Sequence, residues 1–253
     1  MRADQLLVER GLAASRSQAQ RLIAAGLSWR LGAGPWKAVT KNGDLVPDVA
    51  ELRLVDAAES RYVSRGGLKL EGALARTGLA VAGLRCLDVG QSTGGFTDCL
   101  LQQGALQVVG VDVGHGQLNP RLRADARVLC VEKLNARELT AQALVAAGGE
   151  SATPPFDLIV GDLSFISQTL VWPSFVPLLA DNAHLLMLVK PQFELQPQDI
   201  GKGGLVRDAA SYAQVEARLR VAAAELGWCV RDYFESPITG GDGNREFFLW
   251  ACP

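Results

Sequence analysis

The chain has 253 residues, of which 48% are hydrophobic and 21% are charged, and its formal net charge is −2. This length accommodates one large core, or a small module beside a domain of roughly 180 residues. The longest purely apolar stretches, such as 185–189, fall far short of the ~20 residues that cross a bilayer. The N-terminus lacks the apolar segment of a signal peptide. We therefore expect a cytoplasmic protein without membrane contact.

The charge is unevenly distributed along the chain. Residues 1–41 hold two acidic side chains and the seven basic side chains Arg2, Arg10, Arg16, Arg21, Arg30, Lys37 and Lys41. This segment carries a local charge of +5, which leaves −7 for the rest of the chain. The asymmetry is typical of a segment that binds a polyanion, although ordinary solvated surface charge would explain it equally well.

The cysteines are scattered and form no C-x-x-C pair; they are Cys86, Cys99, Cys130, Cys229 and Cys252. The two histidines, His115 and His184, lie far from any cysteine cluster. An odd number of cysteines in mostly apolar contexts predicts reduced thiols in a cytoplasmic protein. This spacing also predicts no metal site.

Residues 1–56 are predicted to form two helices followed by short strands and turns. We expect Asp4 to cap the first helix and Gly11 to end it. The segment 17–20, Ser-Gln-Ala-Gln, fits a capping box for the second helix, which Gly26 ends. Apolar side chains of the two helices supply a small shared core, namely Leu6, Leu7, Leu22 and Ile23.

Residues 67–253 alternate between predicted helix and strand, after a predicted linker at 57–66. The predicted helices span 67–79, 95–103, 137–147, 168–180 and 209–226, and the predicted strands span 84–89, 107–112, 127–131, 157–161, 184–189, 228–235 and 246–251. The strands through 189 are short apolar runs without alternation, as in a parallel sheet covered by helices on both faces. The pattern predicts a doubly wound, Rossmann-like α/β domain. No helix separates the last two strands, so the final strand should be antiparallel.

A glycine-rich loop follows the first strand of this domain. Its spacing, Gly90-x-x-x-Gly94-Gly95, is neither the dinucleotide-binding pattern nor a P-loop. The next strand ends at Asp112, whose carboxylate can accept both hydroxyls of an adenosine ribose. Asp88-x-Gly90 and Asp112 at this separation resemble the S-adenosylmethionine site of Rossmann-like methyltransferases, which implies a site for this cofactor at the carboxyl edge of the sheet. The candidate cofactor-binding residues are Asp88, Gly90, Ser92, Thr93, Gly94, Gly95, Phe96, Asp112, Val113, Glu132 and Asn135.

Ionisable residues gather at the same predicted edge. Asp162 and Lys190 each follow a parallel strand, and Glu246 begins the final antiparallel strand. Lys69 lies near the start of the helix that leads into the first strand, off its apolar stripe. Any one of these could be a surface charge, but three charges that the topology brings to one ligand edge indicate a catalytic site.

The chemistry of these residue types fits methyl transfer to a weak nucleophile. A ribose 2′-hydroxyl stays protonated near neutrality, so its attack on a sulfonium methyl group requires removal of the proton. A partly desolvated lysine beside a second cation can act as that base, and carboxylates can orient it. Holding the two reactants in line could supply roughly 7–11 kcal/mol at best.

The N-terminal pattern Asp4-x-Leu-Leu-Val-Glu-Arg-Gly-Leu-x-x-Ser-Arg-Ser-x-Ala-x-x-Leu-Ile-x-x-Gly26 resembles the RNA-binding module first recognised in ribosomal protein S4, over about residues 2–55. The strand half departs from that family, because Leu27-Ser-Trp-Arg-Leu-Gly-Ala-Gly-Pro-Trp36 replaces the usual valine-rich strand and Asn-Gly turn. The resemblance implies an RNA-binding surface. Its candidate residues are Arg10, Arg16, Arg21, Lys41 and, beyond the module, Arg65.

Motifs along nearly the whole chain resemble the TlyA family, which joins an S4-type module to an FtsJ-like methyltransferase domain. They are Ser64-Arg-Gly-Gly-Leu-Lys69-Leu, Asp88-Val-Gly-x-Ser-Thr-Gly-Gly-Phe-Thr-Asp98, Gly110-Val-Asp-Val-Gly-x-Gly-Gln-Leu118, Asp162-Leu-Ser-Phe-Ile-Ser167, Val189-Lys-Pro-Gln-Phe-Glu194 and Gly243-Asn-Arg-Glu246-Phe. Two departures are Gln91 in place of a small residue and His115 at a usual tyrosine-like position.

The TlyA resemblance implies a catalytic tetrad and a substrate. The tetrad maps onto Lys69, Asp162, Lys190 and Glu246, and the substrate is the 2′-hydroxyl of cytidine in ribosomal RNA, as free RNA or in ribosomal subunits. Two alternatives stay open, a nonenzymatic RNA-binding assembly factor and a membrane-active haemolysin, the label often given to this family. The tetrad argues against the first, and the absence of a membrane segment or a basic amphipathic helix argues against the second.

Overall fold

The computed structural model describes residues 1–13, 15–54, 61–241 and 243–253, which divide into two compact units, Met1–Leu68 and Lys69–Pro253. Part of the predicted linker, residues 57–60, lies outside the described residues. Residues 61–66 belong to the first unit, because Tyr62 is buried there and its carbonyl accepts a hydrogen bond from Gln18 Nε2 at 2.9 Å. The predicted division at 56 and 67 stays a prediction.

The first unit is a small α+β module. Its elements are α1 (Ala3–Glu9), α2 (Arg16–Gly26), β1 (Leu27–Arg30), β2 (Lys37–Val39) and β3 (Glu51–Leu54). The strands form an antiparallel sheet in the order β2-β1-β3. The predicted leucine and isoleucine core is buried, and Leu27, Val39 and Val46 join it. The sheet therefore packs one face against the helices and leaves the other outside.

Both helices of the module begin differently from the prediction. Arg2 occupies the N-cap of α1, and Asp4 lies fully buried in the first turn, where it pairs with Arg2 at 3.0 Å and with Arg16 at 3.1 Å. These two guanidinium groups, Arg2 foremost, hold the pKa of Asp4 well below its usual range. Ser15 caps α2, two residues earlier than predicted, because its hydroxyl accepts a hydrogen bond from Gln18 N at 3.2 Å.

The second unit alternates helices with the strands of one large sheet. Its main elements are α3 (Gly66–Thr77, which begins in the first unit), β4 (Arg85–Val89), α4 (Gly95–Gln102), β5 (Gln107–Asp112), α5 (Pro120–Arg123), β6 (Val128–Glu132), α6 (Ala141–Gly148), β7 (Phe156–Gly161), α7 (Trp172–Phe175), β8 (Leu179–Val189), α8 (Ala210–Glu225), β9 (Cys229–Glu235) and β10 (Phe247–Cys252).

The seven strands that the described residues contribute lie in the order β6-β5-β4-β7-β8-β10-β9. The pairs among β4 to β8 are parallel, whereas β10 runs antiparallel to both β8 and β9. The carboxyl ends of the parallel strands and the start of β10 therefore meet at one edge. The predicted fold class, a Rossmann-like domain with an antiparallel final strand and a small N-terminal α+β module, is confirmed.

The predicted helix over 168–180 is wrong. The segment is broken into short helical turns, of which only Trp172–Phe175 is α-helical. Pro173 and Pro177 are tolerated where a helical turn begins, but neither can continue a helix that precedes it. The chain consequently leaves the helical conformation early, and β8 begins at Leu179 rather than at residue 184.

Within the part of the chain that the structure describes, no helix is both long and apolar enough to cross a bilayer. The same residues contain no group of three or more histidine, cysteine, aspartate or glutamate side chains placed to hold a metal ion.

Candidate active site and cofactor cavity

A cavity of about 530 Å³ opens at the carboxyl ends of β4, β5 and β7, within the usual range of ligand pockets, roughly 300–1,000 Å³. Five of the predicted cofactor-binding residues line it, namely Gly90, Ser92, Asp112, Val113 and Asn135. The other residues of its wall, apart from Asp162, were not predicted from the sequence; they are Val89, Val111, Gln117, Leu134, Ala136, Leu163, Ser164, Phe165 and Ile166. Most of these are apolar, as expected for a pocket that receives a flat aromatic ring system.

Asp112 presents a fixed carboxylate to this cavity. Its Oδ2 accepts a hydrogen bond from Ser92 N at 2.7 Å and its Oδ1 accepts one from Gly114 N at 2.7 Å. Each carboxylate oxygen can accept a further bond. Two hydroxyls of one ribose therefore fit this acceptor pair.

Glycine is required at two positions of the loop. Gly90 has φ +85°, and a Cβ there would lie 2.8 Å from the carbonyl oxygen of Asp162. Gly94, the N-cap of α4, has φ +95°, and a Cβ there would lie 2.4 Å from Leu122 Cδ1. Only glycine fits both the left-handed backbone and the space. Because Gly90 has no side chain, the cofactor loop can lie against Asp162, which directly follows β7.

Asp88 is buried behind the loop rather than in the cavity wall. Its Oδ2 accepts a hydrogen bond from Thr97 Oγ1 at 2.7 Å, and Thr97 Oγ1 accepts one from Gln91 Nε2 at 3.0 Å. Burial raises the pKa of Asp88 to about 7, and the Thr97 hydrogen bond opposes this. Gln91, a departure from the family pattern, lies so close to Gly110 that a Cβ there would be 2.0 Å away. These side chains stabilise the loop from beneath.

The other predicted cofactor residues surround the cavity without lining it. Gly95 and Phe96 are buried in α4, and Thr93 is exposed. Glu132 Oε1 accepts hydrogen bonds from Gly116 N at 2.7 Å and from Arg123 at 2.6 Å. It thus fixes the turn after β5. Their assignment to cofactor binding stays a prediction.

Lys190, at the end of β8, lies against the end of β7. Its Nζ is 2.5 Å from Asp162 Oδ1 and donates a hydrogen bond to Ser164 Oγ at 2.8 Å. The Lys190 side chain is 12% exposed and the Asp162 side chain 26%. The lysine is therefore desolvated, yet it borders the cavity that Asp162 and Ser164 line. Ser164 was not predicted from the sequence as a site residue.

Lys69 and Glu246 form a second, more deeply buried pair. Lys69 Nζ lies 2.5 Å from Glu246 Oε2, and their side chains are 10% and 3% exposed. Burial raises the pKa of Glu246, Lys69 opposes the rise, and the charges of Asp162 and Lys190 also act on it. The structure thus brings the four predicted tetrad residues into one electrostatic group.

A buried carboxylate that the sequence analysis did not assign to the site braces the two loops. Glu194 is 4% exposed, and it accepts hydrogen bonds from Ser167 Oγ at 2.6 Å and from Gln168 N at 2.7 Å. Arg218, on α8, pairs with the same carboxylate. Glu194 therefore ties the segment after β8, which begins with Lys190, to the segment after β7.

The predicted RNA-binding residues differ in their surroundings. Arg10 donates to the carbonyl oxygens of Ala50, at 2.6 Å, and Asp48, and Arg16 pairs with the buried Asp4. Arg21 donates to Ser17 O at 3.3 Å, Lys41 is exposed, and Arg65 is half-buried just before α3. Their role in RNA binding stays a prediction.

Comparisons with known proteins agree with this architecture. The FtsJ-like methyltransferase family matches residues 62–252, and the S4 domain matches residues 1–27. The chain is 46% identical, over 98% of its length and 88% of the relative's, to a Mycobacterium tuberculosis protein named 16S/23S rRNA (cytidine-2'-O)-methyltransferase TlyA.

Two solved structures are similar in fold. A candidate hemolysin from Streptococcus thermophilus, 39% identical, superimposes with a TM-score of 0.75 over 99% of this chain and 87% of that one. An S-adenosylmethionine-dependent methyltransferase from Mesorhizobium loti, 15% identical, has a TM-score of 0.51 over 72% of this chain and 97% of that one. The second likeness concerns the fold alone. The chain belongs to the TlyA family of rRNA 2′-O-methyltransferases, which combine an S4 domain with an FtsJ-like domain and are also named hemolysins.

Proposed function

We propose that the chain transfers a methyl group from S-adenosylmethionine to the ribose 2′-hydroxyl of a cytidine in ribosomal RNA, in the cytoplasm. The observation that carries this proposal is the pair of lysine–carboxylate contacts, Lys190–Asp162 and Lys69–Glu246, beside a cavity that presents Asp112. The name of the Mycobacterium tuberculosis relative supports cytidine as the target.

S-adenosylmethionine fits the donor set of the cavity. Asp112 would bind the two ribose hydroxyls, and Ser92 and Asn135 offer further polar atoms. Gly90 leaves space for the ligand because it has no side chain. When bound, this cosubstrate supplies a methyl group on a positively charged sulfur. The chain's own residues hold it at the strand ends, where Gly90 lies so close to the end of β7 that a Cβ on it would be 2.8 Å from the carbonyl oxygen of Asp162.

The tetrad residues would activate and orient the 2′-hydroxyl. Lys190, once it has released its own proton, would accept the hydroxyl proton at Nζ. The 2′ oxygen would bond to the methyl carbon as the bond between that carbon and sulfur breaks, and the sulfur would keep that electron pair as a neutral thioether. Asp162 and Ser164 fix the direction of Nζ. Lys69 and Glu246 add a second cation and carboxylate to the group. We assign 67–253 to this reaction and 1–56 to RNA binding, with 57–66 as a linker.

Methyl transfer to purified RNA tests the proposal. The full chain is incubated with tritiated S-adenosylmethionine and ribosomal subunits, or the RNA extracted from them, from a strain that lacks the gene. We expect label in ribosomal RNA at 2′-O-methylcytidine, located by nuclease digestion and mass spectrometry. Label on a base or on protein would contradict the proposal, and RNA binding without any label would indicate an assembly factor.

A further inference from the structure

The outer face of the module's sheet carries two arginines and a tryptophan. The register pairs Ser28 with Arg53 and Arg30 with Glu51 across β1 and β3. Leu27 is 2% exposed on the core side, so the alternation of strand side chains directs Arg30 to the opposite side. Trp36 directly precedes β2, in the part of the module where this sequence departs from its family pattern. We call Arg30, Trp36 and Arg53 the outer sheet face.

The three side chains of the outer sheet face are stacked together. The Cζ atoms of Arg30 and Arg53 lie 4.6 Å and 4.4 Å from the centroid of the Trp36 ring. This is within the range of a cation–π contact, below about 6 Å. The three side chains therefore form a stacked, positively charged platform, which these contacts hold together without a ligand.

Arg53 keeps its hydrogen-bond donors available on this platform. Arg30 donates through Nε to Glu51 at 2.7 Å, whereas exposed Arg53 makes no hydrogen bond or ion pair with any residue of the described ranges. A guanidinium stacked on a ring presents its N–H groups at its edge, where they match phosphate or a base edge. The platform thus combines the available N–H donors of Arg53 with a surface on which a base can stack.

Two arginines of the helical half, unlike Arg53, use their donors within the module. Arg10 binds backbone carbonyls of the module, and Arg16 neutralises the buried carboxylate of Asp4. These two arginines contribute to the stability of the module itself. Arg53, on the outer sheet face, therefore keeps donors for a ligand, whereas Arg10 and Arg16 use donors within the module.

We propose that the outer sheet face binds single-stranded RNA, with Arg53 on a phosphate or base edge and an unpaired base stacked on the platform. Single strands are recognised by a positively charged surface together with flat side chains on which bases stack. The local charge of +5 over residues 1–41 favours a polyanion over an apolar protein partner, and the stacked aromatic and guanidinium groups favour bases over carboxylates. The proposal rests on RNA being the substrate of the proposed function.

The test uses the full chain and a labelled 20-nucleotide single strand of random sequence, without cofactor. Arg53→Gln and Trp36→Leu should each weaken binding about tenfold or more, since one stacked base is worth about that factor. Arg53→Gln should also lower the dependence of affinity on salt by about one ion. Arg76→Gln is the matched control, because Arg76 also stacks on a ring, Phe234 at 5.0 Å, but lies in the second unit.

The outcomes separate the surface from the chemistry. Equal affinities for the wild type and Arg53→Gln, or equal losses in Arg53→Gln and Arg76→Gln, would overturn the proposal. If Trp36→Leu unfolds the module, the RNA affinity of Arg53→Gln still tests the proposal, because Arg53 is exposed. With ribosomal RNA as substrate, both variants should raise KM and leave kcat unchanged. Intact RNA binding at this face without any methyl transfer would instead refute the proposed function alone.

Discussion

The catalytic edge and the outer sheet face both depend on cations, but they place them in opposite environments. Lys69 and Lys190 are 10% and 12% exposed and lie 2.5 Å from carboxylates. Arg53 is exposed and lies over an aromatic ring instead. A buried lysine that exchanges its proton can do chemistry, whereas an arginine that keeps its proton can only bind. The surroundings of each cation therefore decide whether it reacts or recognises.

The largest expected effect comes from placing an arginine in the reacting position. Lys190→Ala should lower kcat by about 10²–10⁴-fold, the usual contribution of a general base. Lys190→Arg should be nearly as damaging, because guanidinium does not release its proton at working pH. Methyl transfer is measured with saturating RNA and cofactor, and cofactor binding is measured by calorimetry as the control for folding.

A Lys190→Arg variant with most of the wild-type rate would contradict the distinction between a reacting lysine and a binding arginine. Lys190 would then provide positive charge alone, as Arg53 does, and the hydroxyl proton would leave to Asp162 or to water.

The second largest effect concerns cofactor binding, which should depend on Asp112 and not on the lysines of the tetrad or on Arg53. Asp112→Ala should weaken S-adenosylmethionine binding by about 10–100-fold, since hydrogen bonds to a charged group contribute about 1.5–3 kcal/mol. Affinity for RNA without cofactor should not change. Calorimetry with the cofactor measures the first quantity. Unchanged cofactor affinity in a folded variant would remove Asp112 from the site.

Glu194 would affect the position of Lys190 without touching it, because it ties the segment after β8 to the segment after β7. Glu194→Gln places an amide N–H₂ against Arg218, so the brace between the two loops should loosen. We expect kcat to fall about tenfold, as small displacements of catalytic groups have large costs. Cofactor affinity should change little. Steady-state kinetics with separate kcat and KM values measures the change.

Glu216→Gln is the matched control for Glu194→Gln. Glu216 also pairs with an arginine on α8, Arg220 at 2.9 Å, but its side chain is 37% exposed, and such surface pairs contribute little. Equal kinetics for the two variants would exclude a positioning role for Glu194. A pH–rate profile that shifts only in Glu194→Gln would identify an effect on the tetrad rather than on stability.

The smallest expected effect concerns stability. Burial raises the folded-state pKa of Asp88 to about 7, above the ordinary value of about 3.9. Between these values the unfolded chain loses its proton first, so stability falls as the pH rises from about 4 to 7. Asp88→Asn should flatten this decline by at least about 1 kcal/mol, or roughly 2–4 °C in Tm. Thermal unfolding at pH 5 and pH 8 measures it, and parallel curves for both proteins would contradict the assignment.

The strands were predictable because each is a short apolar run bounded by loop residues. The observed β4 (Arg85–Val89) and β5 (Gln107–Asp112) match the predicted strands to within one residue at each end. The helix over 168–180 was predicted wrongly, because Pro173 and Pro177 interrupt the helical turns of this segment. Helix caps failed for a different reason. Asp4 is a typical cap residue, but its ion pairs with Arg2 and Arg16 explain its burial.

The proximity of Asp162, Lys190 and Glu246 was predictable because the topology brings their strand ends to one edge. The family motifs added Lys69, and the catalytic role of all four residues stays a prediction. The sequence could not reveal Ser164 or the brace at Glu194, because these depend on which loop reaches which. Glu194 is 26 residues from its partner Gln168 and 24 from Arg218. It could also not reveal that Asp88 lies behind the loop, since burial depends on the packing of Thr97 and Gln91.

The order of the sheet has a consequence for synthesis of the protein. The strand β10 inserts between β8 and β9, and Glu246 directly precedes it. A ribosome that has translated the chain through β9 has made every other strand of this sheet, but not the one that joins β9 to the rest. The nascent chain consequently lacks both the fourth tetrad residue and a closed sheet. Because Glu246 arrives with β10, we expect methyl transfer to begin only after β10 has paired with β8 and β9.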